Sequence, residues 1–253
     1  MVHQVEESIE RDAAFRWVSE MTHKYVIPDC LNPVEAKAAF EFFANSTFSD
    51  HRVRFLLTLN AIRKRIDLSG ARIAETGHIS GLSHWLTHEG TAVEELDGDF
   101  RYHINAPDEQ YDVLLSFEVM EHIKDQDHTG FDDLVLFNYS GVKAFVREMH
   151  RIIKPGGKLV LTTPNACSLF CVEQAYERKP PWLHPPHVKE YAPGEVIDLC
   201  TAAGFSLQSF ETFYAAHYLD PVHRAHTLQS YFSERGHSSE DRGDDAFFIF
   251  LRH

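Results

Sequence analysis

The chain has 253 residues, 43% hydrophobic and 25% charged, a globular composition with enough apolar material to bury a core and too much for a disordered chain. Its 38 acidic residues against 24 basic ones leave a formal charge of −14, which disfavours nucleic acid or an anionic membrane surface as a partner held by charge. No apolar run approaches the ~20 residues of a spanning helix, and the acidic, polar start MVHQVEESIERD does not read as a signal peptide.

The first segment reads as helical. In the next, Asn32 has the chemistry of an N-cap and Pro33 that of a first helical residue. A third helix is predicted from about 50 to 66, where Val53, Leu56, Leu57 and residues 59–62 recur at helical spacing. The pattern then changes to short apolar runs bounded by turn residues: ARIAET (71–76), TAVEEL (91–96), YDVLLSF (111–117) and KLVLTTP (158–164). Helical patterns lie between most of them, as expected of a parallel sheet in an α/β domain. A helix is predicted over 141–154, with Val142, Phe145, Val146, Met149, Ile152 and Ile153 on one side and Pro155-Gly156-Gly157 as its stop. Another spans about 193–203 and ends at Gly204, and FSLQSFETFY and AFFIFLRH read as two closing strands. The polar, His-rich stretch 217–245 between them reads as a loop or insertion suited to covering a site. The cysteines at 30, 167, 171 and 200 form no CxxC pair and read as thiols of a reducing cytoplasm.

Four motifs stand out. Glu75-Thr76-Gly77-His78-Ile79-Ser80-Gly81 follows a strand and precedes a helix, where glycine lets backbone approach a ligand and aims a helix N-terminus at it. Asp97 ends the second strand, placed to accept from ribose hydroxyls, although Asp97-Gly98-Asp99 is equally turn-like. The third is YDVLLSF followed by Glu118-Val119-Met120-Glu121-His122, and the fourth is RIIKPGGKLVLTTPN.

In this order, the set resembles the class I S-adenosylmethionine-dependent methyltransferases over about residues 66–213, with AFFIFLRH as the reversed last strand. The resemblance implies a doubly wound, mostly parallel, seven-stranded-type sheet of Rossmann-like fold, a methyltransferase domain over 67–253 and a helical extension over 1–66. It implies S-adenosylmethionine across the carboxyl ends of the first strands, with Gly77 and Gly81 lining the methionine end and Glu75 supporting it. Asp97 would hold the ribose, and Ser116 and Phe117 would border the transferred methyl. Two departures matter. Ile79 stands where the family's loop has its middle glycine, adding β-branched bulk. Only Gly98 and Asp99 separate Asp97 from FRYHI, so the usual helix between the second and third strands has no room, and His103 stands where an adenine-binding acid is expected.

Glu118, Glu121 and His122 have i, i+3, i+4 spacing and would share one face of a helix. With His187 of His187-Val188-Lys189-Glu190-Tyr191 they offer oxygen and nitrogen to Mg²⁺, Mn²⁺, Fe²⁺ or Zn²⁺. The arrangement resembles the E-x-x-E-H plus distant histidine of metal-dependent O-methyltransferases, including ubiquinone-pathway and small-RNA 2′-O-methyltransferases, whereas EVxEH in metal-free relatives only caps a helix. A metal lowers the pKa of a hydroxyl, and His122 or His187 is the candidate catalytic proton acceptor. TTPN and HVKEY also resemble glycan-pathway methyltransferases, which implies a carbohydrate acceptor, and Trp182 in KPPWLHPP could stack on a sugar or aromatic ring. His217, His223 and His226 form a weaker second cluster.

The expected protein is thus a cytoplasmic S-adenosylmethionine-dependent methyltransferase acting on a small-molecule or carbohydrate hydroxyl, with or without assistance from a divalent metal, whose N-terminal helices cap the pocket or make a homodimer. The alternative, motivated by Ile79 and the short 97–105 link, is a catalytically inactive methyltransferase-like binding or scaffold protein. A nicotinamide-dependent oxidoreductase is the third reading; it lacks GxGxxG and leaves KPGG and EVMEH unexplained.

Overall fold

The computed structural model describes residues 13, 16–17, 20–21, 32–47, 49–127, 139–215 and 230–253. The chain divides into two compact units, one of Met1–Asp67, Ser80–Glu89 and Phe213–Glu240, the other of Leu68–Ile79, Gly90–Thr212 and Asp241–His253. The helical extension expected over 1–66 therefore shares its unit with two later segments. His217, His223 and His226 lie outside the described residues. Among the described residues, no helix is long and apolar enough to cross a membrane.

In the helical unit, α1 is Pro33–Ala44, α2 is Arg52–Arg65 and α3 is Gly81–His88. Asn32 caps α1 as predicted, its side chain accepting from the amides of Val34 and Glu35, with Pro33 in the first turn. The predicted third helix begins as a 3₁₀ turn over Ser49–His51 before becoming α2. The three helices meet through aromatic rings: Phe42 and Phe43 of α1 lie 5.4 and 6.3 Å from Trp85 of α3, and Phe43 lies 5.4 Å from Phe55 of α2. Arg63 reaches both Glu35 and Glu89 and ties the three helices at their polar rim.

The second unit is built on strands β1 (Ile73–Thr76), β2 (Val93–Leu96), β3 (Tyr111–Phe117), β4 (Ile153–Pro164), β5 (Phe205–Phe213) and β6 (Asp245–Arg252). They form one sheet in the order β2-β1-β3-β4-β6-β5. β2, β1, β3 and β4 run parallel, and β6 pairs antiparallel to β4, the predicted reversal. Among the described residues the sheet has six strands, one fewer than expected. Residues 97–110 between β2 and β3 hold neither helix nor strand, so the link is too short to wind a further strand onto the edge.

Helices α4 (Ser140–Ile152), α5 (Leu169–Tyr176) and α6 (Pro193–Ala202) complete the unit. On α4, Val142, Phe145, Val146, Met149 and Ile152 are buried at helical spacing, and they join one core with Leu114, Leu159, Leu161, Phe248 and Phe250 of the sheet and with Val196 and Cys200 of α6. The predicted continuation of α4 to 154 is corrected. The helix stops at Ile152 and β4 starts at Ile153, so KPGG belongs to the strand. Pro155, Gly156 and Gly157 lie where the register shifts from Tyr111↔Ile153 to Val113↔Lys158, an irregularity that absorbs residues a plain ladder would exclude.

Gly141 explains how α4 starts. A Cβ there would lie 1.9 Å from the Lys124 carbonyl oxygen, so the helix abuts the backbone that follows His122. Gly141→Ala should lower stability by about 1–3 kcal/mol in urea titration, because backbone must move to relieve the overlap. At the other end of α4, the His150 ring sits edge-on to Phe205 at 5.1 Å. Burial, and then the Arg252 charge, hold the His150 pKa below its ordinary value. The unfolded chain therefore binds this proton more readily, and stability falls as pH drops below about 6.5. Thermal melts of His150→Gln should show a shallower loss between pH 7 and 5 than the parent protein.

Candidate active site

Because β1, β2, β3 and β4 run parallel, the segments leaving them emerge at one edge of the sheet, the edge where α/β folds bind ligands. Glu75 is buried within β1, and beside it the Thr76 hydroxyl meets the Ser116 hydroxyl at 3.0 Å, joining the ends of β1 and β3. Gly77 follows at φ +81° and donates its amide to the Leu96 carbonyl, which joins the turn to the end of β2. Ile79 is half-buried, and the chain then crosses to the other unit, where Ser80 caps α3 and Gly81 opens it.

Asp97 is exposed at the end of β2. Its carboxylate accepts from the Asn105 side chain at 3.0 Å, while its carbonyl accepts from the Asn105 amide. These bonds close 97–105 into the tight, helix-free link expected from the spacing. Asp99 pairs with Arg101, and the exposed His103 ring contacts Glu148 at 2.7 Å. Gly98, Asp99, Phe100, Arg101, His122, Ile123 and Lys124 line a cavity of about 430 Å³. Neither Ile79 nor His103 is in that lining.

After Phe117 the chain does not open a full helix. Glu118 takes φ +57°, and only Met120–His122 form a 3₁₀ turn. A left-handed residue with a side chain costs of order 1–3 kcal/mol and persists where neighbours hold it. Here Thr162 holds it from both sides: its carbonyl accepts the Glu118 amide at 3.0 Å, and its hydroxyl donates to Glu118 Oε1 at 2.8 Å. The structure accordingly brings together Glu121, His122 and His187, with one ligand atom of each within 4.8 Å of the others, and Glu118 is not part of that trio.

Backbone bonds bring the trio together. The Glu121 carbonyl accepts from the amides of Val188 at 2.8 Å and Lys189 at 3.3 Å, anchoring the distant HVKEY segment. The Glu121 side chain is fully buried, with Oε2 accepting from Thr163 at 3.0 Å and Oε1 lying 3.9 Å from His122 Nε2. The His122 and His187 rings are 4.9 Å apart, and the exposed His184 ring lies 5.2 Å from His187. Burial, then the neighbouring His187 and His184, hold the His122 pKa below its ordinary value, which favours the neutral ring with its lone pair available.

Sequence reasoning missed Thr163, His184 and Glu190 as parts of this cluster. It also read Asn165 only as part of a motif. That buried side chain donates to the carbonyls of Gly243 and Asp241, and Asn165 bridges Tyr191, so it knits together three segments at this edge. The signal for Glu190 was its place three residues after His187. Thr163→Val should cost about 1–3 kcal/mol in denaturant unfolding, because it removes a donor from a buried carboxylate oxygen.

A family model described as a methyltransferase domain matches residues 65–237. A protein of Mycolicibacterium smegmatis described as a probable S-adenosylmethionine-dependent methyltransferase is 30% identical over 102 residues, 40% of this chain and 31% of that protein. A ubiquinone biosynthesis O-methyltransferase of Bradyrhizobium is 30% identical over 92 residues, 36% of this chain and 24% of the relative. The chain's matches thus span about a third or less of these curated relatives. An S-adenosylmethionine-dependent methyltransferase of Thermotoga maritima shares the fold, at TM-score 0.50 and 17% identity, covering 85% of this chain and 99% of that one. The parallel sheet with its reversed strand, the glycine turn after β1 and the family match over most of the chain lead to one assignment: this chain belongs to the class I S-adenosylmethionine-dependent methyltransferase family.

Proposed function

We propose that the protein transfers a methyl group from S-adenosylmethionine to a hydroxyl oxygen of a small-molecule or carbohydrate acceptor in the cytoplasm, with a divalent cation held by Glu121, His122 and His187. The observation that carries this reading is the convergence of those three side chains at the carboxyl edge of the sheet, with His122 also lining the adjoining cavity. One carboxylate and two imidazoles fit a cation of mixed oxygen and nitrogen preference. The O-methyltransferase name of the Bradyrhizobium relative supports oxygen as the target.

S-adenosylmethionine supplies a methyl already activated on a sulfonium, and a divalent cation supplies polarisation of an acceptor oxygen. The chain's own residues then have to bind, orient and exclude water. At the end of β1, Gly77 makes the turn at φ +81° and would line the methionine end, with Glu75 buried in the strand before it. Asp97 offers an exposed carboxylate, oriented by Asn105, to ribose hydroxyls. Ser116 and Phe117 form the buried floor at the end of β3. Gly81, expected to line the methionine end, belongs to the other unit. In the absence of a cation, His122 or His187 would instead take the acceptor's proton.

Calorimetry on the purified protein tests both parts. S-adenosylhomocysteine should bind, and Mn²⁺ should bind and be removed by chelator. Glu121→Ala and His187→Ala should each abolish Mn²⁺ binding while leaving S-adenosylhomocysteine affinity nearly intact. Failure to bind S-adenosylhomocysteine, with or without Mn²⁺, would overturn the methyl-transfer reading. Binding of it without any Mn²⁺ binding would overturn the metal part alone.

A further inference from the structure

Glu190 stands behind the trio, and its carboxylate is almost fully buried. Its Oε1 lies 3.0 Å from His187 Nδ1 and accepts from the Leu183 amide, while its Oε2 accepts from Cys171 Sγ at 3.1 Å. Burial, then the Glu190 charge, push the Cys171 thiol up, so it keeps the proton it donates. Leu183 and Cys171 thus both donate to this carboxylate, and His187 Nδ1 faces it as the third neighbour.

We propose that Glu190 is a positioning residue that fixes His187 as the Nδ1–H tautomer and so leaves the Nε2 lone pair as its ligand atom. The inference rests on the metal-site reading above. A neutral imidazole has one lone pair, and a carboxylate facing Nδ1 places the proton there. A histidine with its proton on Nε2 would offer the cation a hydrogen in place of an electron pair. The same carboxylate also ties the Trp182–His187 loop at Leu183, while the Glu121 carbonyl holds it at Val188. The ring is thus set from both sides. Carboxylate–histidine–metal arrangements raise ligand basicity as well as fixing orientation, and losing the outer partner weakens metal binding by ~10–100-fold.

The test has two arms. In the metal-free wild-type protein, long-range ¹H–¹⁵N spectra, assigned by comparison with His187→Gln, should show the His187 proton on Nδ1; a proton on Nε2 would overturn the inference. In Glu190→Gln, Mn²⁺ affinity by calorimetry should fall ~10–100-fold with S-adenosylhomocysteine affinity unchanged. Cys171→Ala, which leaves the His187–Glu190 contact in place, should keep wild-type Mn²⁺ affinity. Unchanged Mn²⁺ affinity in a folded Glu190→Gln protein would overturn the role of Glu190 alone, whereas a wild-type protein that binds no Mn²⁺ would overturn the metal site with it. The tautomer is read in the wild-type protein, so the inference stays testable if Glu190→Gln does not fold.

Discussion

The site depends on one arrangement: Glu121 buried at the end of β3, its carboxylate held by Thr163 and its carbonyl taken by the amides of Val188 and Lys189. A carboxylate removed from water is costly unless its oxygens are met. The sheet meets part of that requirement by placing β4 next to β3, so that Thr163 reaches across from the neighbouring strand to Oε2. The carbonyl of the same residue then acts as the anchor for a segment far along the chain. His187 arrives beside His122 because its neighbours are hydrogen-bonded to Glu121, and no local sequence preference is needed to bring the two rings together.

The strained Glu118 follows from the same edge. A residue leaving a buried parallel strand must turn sharply if the next three residues are to face the sheet's end. The left-handed backbone at Glu118 makes that turn, and Thr162 binds both its amide and its carboxylate. Two adjacent threonines of β4 thus hold two glutamates of EVMEH, one at the turn and one at the candidate metal site. This gives the TTPN motif a physical meaning beyond resemblance: Thr162 and Thr163 shape the segment after β3, and Asn165 ties it to the last strand's approach through Gly243.

On the other flank of β1, the shortened link decides how much fold surrounds the ligand edge. Residues 97–110 are too few for another helix and strand, so the sheet ends at β2, and the link folds on itself through the Asp97–Asn105 bonds. The cavity lined by Gly98–Arg101 and by residues 122–124 is bounded by this link and by the segment after β3. The packing of α4 at Gly141 against the Lys124 carbonyl supports the second of those walls, which connects core packing directly to the shape of the site.

Much of this was legible in the sequence because it rests on local chemistry. Apolar runs separated by helical patterns foretold the parallel strands, Asn32 and Pro33 foretold the start of α1, and the two residues between Asp97 and FRYHI foretold the missing helix. The motif order pointed to the family that the comparison then established. Spacing alone could not place Glu118, because helical spacing assumes helical backbone, and the sheet edge imposes a left-handed turn there instead. Nor could it end α4 at Ile152, since the start of β4 depends on an irregular register with β3. Glu190 shows the limit most clearly. Its identity and its distance from His187 along the chain are local, but its role comes from burial among Cys171, Leu183 and His187, a surrounding that exists only once distant segments have been packed together and cut off from water.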